Sequence, residues 1–237
     1  MTWRVSLIDS CGGLDGISAA ELKDASSVAD AAAFVAQGGR VECRATVADP
    51  TGHGSRIARL LMSGRRIELL LGQVFTTPAP TSGAAVAAAI DWAVERRAAL
   101  IHLSLGLAGD RAGLKLAVER ALVAGCIVVA SVPARGPPVY PAAYPGVIRA
   151  TGDARCAPGE LSRLGSWLFG GCPRLEVAGR TANDQAAHGR ASGGASVGAA
   201  WVTHAILQQP PLAAAAAVDV LTAGAKYLGP ERRTPAA

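Results

Sequence analysis

Short apolar runs alternating with segments of helical period constrain this chain more than any other feature. Residues 3–8, 67–75, 99–105, 126–130 and 147–151 are runs of this kind, too short and too uniformly apolar for amphipathic helices. They read as strands buried on both faces. Between them, a helix opens at Gly52-His53-Gly54, continues through Ile57, Ala58, Leu60 and Leu61, and stops at Gly64. Residues 84–97 place Val86, Ile90 and Val94 on one stripe, and residues 112–124 turn Leu114, Val118, Ala121 and Leu122 inward. Helical spacing is also read at 28–37, ending at Gly38-Gly39, before a strand at 40–47. A weaker strand is expected at 175–178 and a helix from Ser196 to about 207. Pro210-Pro211 breaks that helix, and a last Ala-rich helix precedes a frayed tail at about 228–237. This alternation predicts an α/β fold: a mostly parallel central sheet with helices on both faces, joined by right-handed crossovers. No linker divides the chain, so residues 1–237 are expected to form a single domain.

Half of the 237 residues are hydrophobic and only 17% are charged, enough for a large core, while aromatics are just 4%. The core layers must therefore close up through small side chains. The net charge of +5 invites a nucleic-acid reading. The basic residues, however, come as scattered pairs (Arg65-Arg66, Arg96-Arg97, Arg232-Arg233) without interleaved aromatics, which reads as a solvated surface and no nucleic-acid partner. Cys11, Cys43, Cys126, Cys156 and Cys172 are odd in number and lack metal-ligand spacing, so reduced, mostly buried thiols are expected. No segment approaches the ~20 apolar residues of a membrane span, and no targeting segment precedes the first strand. A cytoplasmic protein with no membrane partner is expected.

In parallel sheets, ligands sit beyond the carboxyl ends of the strands. Asp9 closes the first strand there. Taken alone it also fits a phospho-acceptor or a metal-dependent phosphatase. Two other polar residues share its setting. His53 stands between glycines at a helix start. Ser196 lies in Ser-Gly-Gly-Ala-Ser-Val-Gly, a small-residue turn feeding a helix whose first N–H groups face a developing oxyanion. The order Asp, His, Ser is one of the known arrangements of a serine-protease triad.

Five stretches together resemble the subtilisin-like serine protease family: Val5-Ser6-Leu7-Ile8-Asp9-Ser10, Gly52-His53-Gly54-Ser55, Ile101-His102-Leu103-Ser104-Leu105-Gly106, Tyr140-Pro141-Ala142-Ala143-Tyr144-Pro145 before Val147-Ile148, and Gly194-Ala195-Ser196-Val197-Gly198. The resemblance implies a three-layer subtilisin-like fold and a serine endopeptidase. Its implied roles are nucleophile for Ser196, general base for His53 and base-orienting acid for Asp9. Ser104, Leu105 and Gly106 would pair with an extended substrate, while Ala130, Ser131 and Val132 would wall the pocket beside the cut. It also implies a cis peptide at Tyr140-Pro141.

Three positions depart from that pattern. Ala134 stands where the family carries an oxyanion-donating Asn, Ala195 replaces a Thr, and Ala200 replaces a Pro. Loss of one oxyanion donor costs about 10²–10³ in rate. The backbone N–H of Ser196 would remain, with Ser131, Asn183 or a group supplied by the substrate as the alternatives for the missing donor. No Asp-rich calcium loop is visible, so no metal and no cofactor is expected. His102, His188 and His204 read as structural, and Cys11 as a buried thiol. Small size and the absence of a presequence extend the resemblance to the intracellular proteases that mature quinohemoprotein amine dehydrogenase by removing a leader peptide from its small subunit. The expected partner is thus a peptide or protein substrate, such as a leader-bearing precursor. The alternative is a catalytically weak pseudoprotease that binds peptides.

Overall fold

The computed structural model describes residues 2–13, 26–175 and 194–230. Ten strands form one sheet: β1 (Trp3–Asp9), β2 (Ser27–Gln37), β3 (Arg40–Arg44), β4 (Ile67–Gln73), β5 (Leu100–Leu103), β6 (Ile127–Ser131), β7 (Ile148–Gly152), β8 (Leu161–Gly165), β9 (Leu168–Gly171) and β10 (Ala225–Leu228). The helices among the described residues are α1 (His53–Met62), α2 (Gly83–Glu95), α3 (Ala112–Val123), α4 (Ala195–Leu207) and α5 (Ala214–Ala223). The sheet order is β10-β8-β9-β7-β6-β5-β1-β4-β2-β3, parallel except for the β2–β3 and β8–β9 pairs.

Each face of the sheet carries its own core. Trp3, Val5 and Leu7 of β1 pack with α1, α4 and α5. Ile8 packs on the opposite face, with α2 and α3. Period-2 alternation therefore puts Asp9 on the α1/α4 face. The same logic puts His102 and Ser104 there, because Leu100 belongs to that core and Ile101 and Leu103 to the other. The chain runs from β4 through α2 to β5 and so crosses β1, which ends up between β4 and β5. Successive strands are added on one side of β1 up to β4 and on the other side from β5 onward, a switch at which such folds open a crevice beyond the carboxyl ends of the strands.

The α/β layering is as the sequence indicates, with one segment corrected. Residues 28–37 form a strand, not a helix: β2 pairs parallel with β4 and antiparallel with β3. Its alanines carry no decisive periodicity. Gly38 and Gly39, at φ 57° and 76°, make the tight turn that a two-residue hairpin loop demands. The β8–β9 hairpin and β10 were not anticipated, and β10 places Leu228 in the sheet instead of in a frayed tail. Leu175 lies in no regular element, and 176–178 fall outside the described residues, as do Asn183, His188 and 231–237. The Tyr140-Pro141 peptide is cis.

Candidate active site

Asp9 ends β1 almost fully enclosed, 2% exposed. Its carboxylate accepts from the Ser10 N–H at 2.6 Å and from the Ser10 hydroxyl at 3.1 Å. His53 Nδ1 lies 2.9 Å from Oδ1 and 3.0 Å from Oδ2. An ionised carboxylate only accepts, so Nδ1 carries the proton, and the neutral ring keeps its lone pair on Nε2. Burial disfavours the charged imidazole. The Asp9 hydrogen bond and the Asp9 charge outweigh it and hold His53 above its ordinary value, with Arg56 opposing and Asp49 assisting.

The loop presenting His53 is tied to Asp49. That carboxylate accepts from the N–H groups of Thr51 (3.1 Å), Gly52 (2.8 Å) and Ser55 (2.8 Å) and from the Ser55 hydroxyl (2.7 Å). Burial alone would raise the Asp49 pKa, but these donors hold it below the usual carboxylate range. They also satisfy the first turn of α1, whose N-cap Gly52 has a left-handed φ of 64° and no side chain to offer. Ser10 joins the two anchors: its hydroxyl meets Thr51 Oγ1 at 3.1 Å and accepts from the Gly54 N–H at 3.0 Å. Buried Gln73 donates to the carbonyls of Ser10 and Val47 and accepts from the Val47 N–H. Gly54 lets α1 rest on Cys11; a Cβ there would sit 2.3 Å from the Cys11 nitrogen. Burial pushes the Cys11 thiol up to about 11, in keeping with a buried, unreactive thiol.

Ser196 occupies the first turn of α4, after Gly194 at φ 109°. No side chain caps Gly194, and helix N–H groups in a first turn lack intrahelical acceptors. Gly198 seats this helix on β7, since a Cβ there would lie 2.1 Å from the Thr151 carbonyl oxygen. α1 packs against α4 in the same layer. The Ser196 hydroxyl donates to the Ser104 carbonyl at 3.0 Å, and among the described residues no hydrogen bond joins it to His53. Ser104 follows β5, whose Leu103 is paired with Ile8, so it lies beside the end of β1 that carries Asp9. Asp9 and His53 are thus bonded directly, and Ser196 is bonded to the segment that follows β5 beside the end of β1.

Ser104 and Leu105 are buried and Gly106 is exposed. All three lie beyond the β5 ladder, before Leu107 bridges Tyr140. Leu103 pairs with Ala130, which sets Ala130, Ser131 and Val132 alongside. Ala134 is exposed and offers no side-chain donor. His102 is buried and hydrogen-bonded through both ring nitrogens, as a structural histidine should be. Sequence reasoning missed Asp49, Thr51, Ser55, Gln73 and Thr203. The Asp49-Pro50-Thr51-Gly52 turn could have flagged the first two, since Asp at the head of such a turn bonds the N–H groups that follow.

No family model and no curated protein matches the chain. Among solved structures, a lanthipeptide protease aligns at TM-score 0.66 and 20% identity, covering 96% of this chain and 81% of that one. PagA, the prenylagaramide maturation protease, aligns at TM-score 0.59 and 15% identity, covering 94% and 78%. These likenesses show the fold. They also correct the family expectation. The structures the chain resembles are a lanthipeptide protease and a prenylagaramide maturation protease, and the assignment to the subtilisin-like family does not stand. The narrower assignment to quinohemoprotein amine dehydrogenase maturation falls with it. Roles for individual residues then rest on their geometry alone.

Proposed function

We propose that the chain is a serine endopeptidase that cuts a peptide precursor, with Ser196 as nucleophile, His53 as general base and Asp9 as the group orienting that base. The observation carrying this reading is the buried Asp9 carboxylate bonded to His53 Nδ1 at a crevice that also holds Ser196. The Asp9 bond fixes the tautomer with Nε2 free to accept the Ser196 proton and later deliver it to the leaving amine. Asp9 also stabilises the imidazolium formed in between. The Ser196 N–H, in the first turn of α4, supports a developing oxyanion through the positive end of the helix.

The resting hydroxyl sits on the Ser104 carbonyl, so catalysis requires it to turn toward His53. A substrate running along Ser104, Leu105 and Gly106 would help, because its N–H groups compete for that carbonyl by strand addition. Precursor maturation is supported by the names of the two structural neighbours, both proteases and one a maturation enzyme. Five free thiols fit a reducing compartment.

A peptide-binding module without turnover is the second reading, favoured by the one observation that Ser196 bonds Ser104 and not His53. A mixed synthetic peptide library read by mass spectrometry separates the two. The peptidase reading expects new termini at one sequence context, absent with Ser196→Ala. Peptide retention without any new terminus over long incubation would replace it with the binding module.

A further inference from the structure

Four polar residues close a hydrogen-bonded bridge between α4 and β5 inside an otherwise apolar interface. His102 and Ser104 are two residues apart on an extended segment and share its α4-facing side. Ser196 and Thr203 are two helical turns apart and share one stripe of α4. The Ser196 hydroxyl donates to the Ser104 carbonyl at 3.0 Å. The Ser104 hydroxyl lies 2.7 Å from His102 Nε2, and His102 Nδ1 lies 2.8 Å from Thr203 Oγ1. His102 and Thr203 are both 0% exposed. Burial pushes the imidazole down to about 4, so it stays neutral, with one ring nitrogen donating and the other accepting.

The surroundings make this chemistry informative. Leu100, Val129, Ala199, Ala200 and Val202 form the same layer and would pack as well against an apolar residue at position 102. Apolar contacts are non-directional. Apart from Thr203, the buried face of α4 is glycine, alanine and aliphatic side chains (Gly198, Ala199, Ala200, Val197, Val202, Ile206, Leu207), whose contacts carry no directional registration. A bond from Thr203 to a histidine on β5 supplies that registration, the best-attested use of buried polar groups. The bond from His102 to Ser104 carries it to the residue whose carbonyl holds the nucleophile.

We infer that His102 is a positioning residue: through Thr203 and Ser104 it sets the axial register of α4 and so places Ser196 against the Asp9–His53 pair. The inference rests on the serine-peptidase reading and adds a residue that reading does not use. The test is the second-order rate of Ser196 modification by a fluorophosphonate, measured well below each variant's unfolding temperature. Thr203→Val and His102→Leu should slow modification roughly 10-fold or more, as displaced reacting groups do. His102→Asn, which keeps a donor and an acceptor, should be faster than His102→Leu. Val202→Ala, a packing control on the same helix, should lower the melting temperature yet retain the parental rate. Parental rates in Thr203→Val and His102→Leu would overturn the inference, as would equal rates for His102→Asn and His102→Leu or equal slowing by Val202→Ala. An unmodified parent protein would instead refute the serine-peptidase reading itself, and the inference with it.

Discussion

His53 and Ser196 reach the same crevice by different means. His53 opens α1 behind a turn held by charge-assisted bonds to Asp49, by the Ser10–Thr51 pair and by Gln73, with its own ring bonded to Asp9. Ser196 sits on a helix seated by close backbone approach, Gly198 against the Thr151 carbonyl, with few side-chain hydrogen bonds to the sheet. Polar bonds fix distance and angle, whereas small-residue packing fixes only how near two elements come. In the proposed peptidase, His53 is therefore set before substrate arrives, whereas the Ser196 hydroxyl rests on the Ser104 carbonyl and must turn to reach His53.

Removing either reacting group tests both halves at once. Ser196→Ala and His53→Ala should each lower peptide cleavage by roughly 10⁴–10⁶-fold, because residues acting as a unit fail together. Their circular dichroism should remain parental. Asp9→Asn should cost about 10⁴-fold, since an amide can hold the ring in the wrong tautomer without disturbing its place.

Glycine substitutions sharpen the contrast between the halves. Gly198→Ala and Gly54→Ala each force a Cβ into backbone and should each lose about 1–3 kcal/mol in urea denaturation. Gly198→Ala should lose more activity at equal stability, because its Cβ would push the first turns of α4, and Ser196 with them, off the Thr151 backbone. Asp49→Ala strips several donors of one acceptor and should cost about 1–3 kcal/mol. Its turnover should fall while fluorophosphonate still reaches Ser196, at a reduced rate.

The smallest effect is a shift in pH dependence. The base must be neutral to accept a proton, so cleavage should rise with pH through a His53 midpoint above its ordinary value of 6.5. In Asp9→Asn, burial is left as the main influence and the midpoint should fall. The same shift contributes stability that is complete below the unfolded-state pKa and is lost as pH rises through the higher folded value. Urea midpoints across that window, with His53→Ala as reference, measure it.

Much of this was legible in the sequence. The buried strands ending at Asp9 and near Ser104 announced themselves by uninterrupted apolar runs, and the glycines around His53 and Ser196 marked close approaches. β2 was not legible, because its alanine-rich stretch has no period of its own and takes its form from pairing with β3 and β4. The turn at Asp49 is local and could have been read from Asp49-Pro50-Thr51-Gly52. The Gln73 bond to Ser10 and the His102–Thr203 bond were hidden, because they join residues distant along the chain and leave no local pattern. The family assignment drawn from motifs did not survive comparison, while the α/β layering is observed and Asp9 and His53 are found in contact.

Whether these three residues act as one unit is tested most directly by peptide mapping after fluorophosphonate treatment. A single phosphonyl adduct on Ser196, lost in His53→Ala and in heat-unfolded protein, is the predicted result. An adduct on another residue, no adduct, or undiminished modification of Ser196 in His53→Ala would contradict the account.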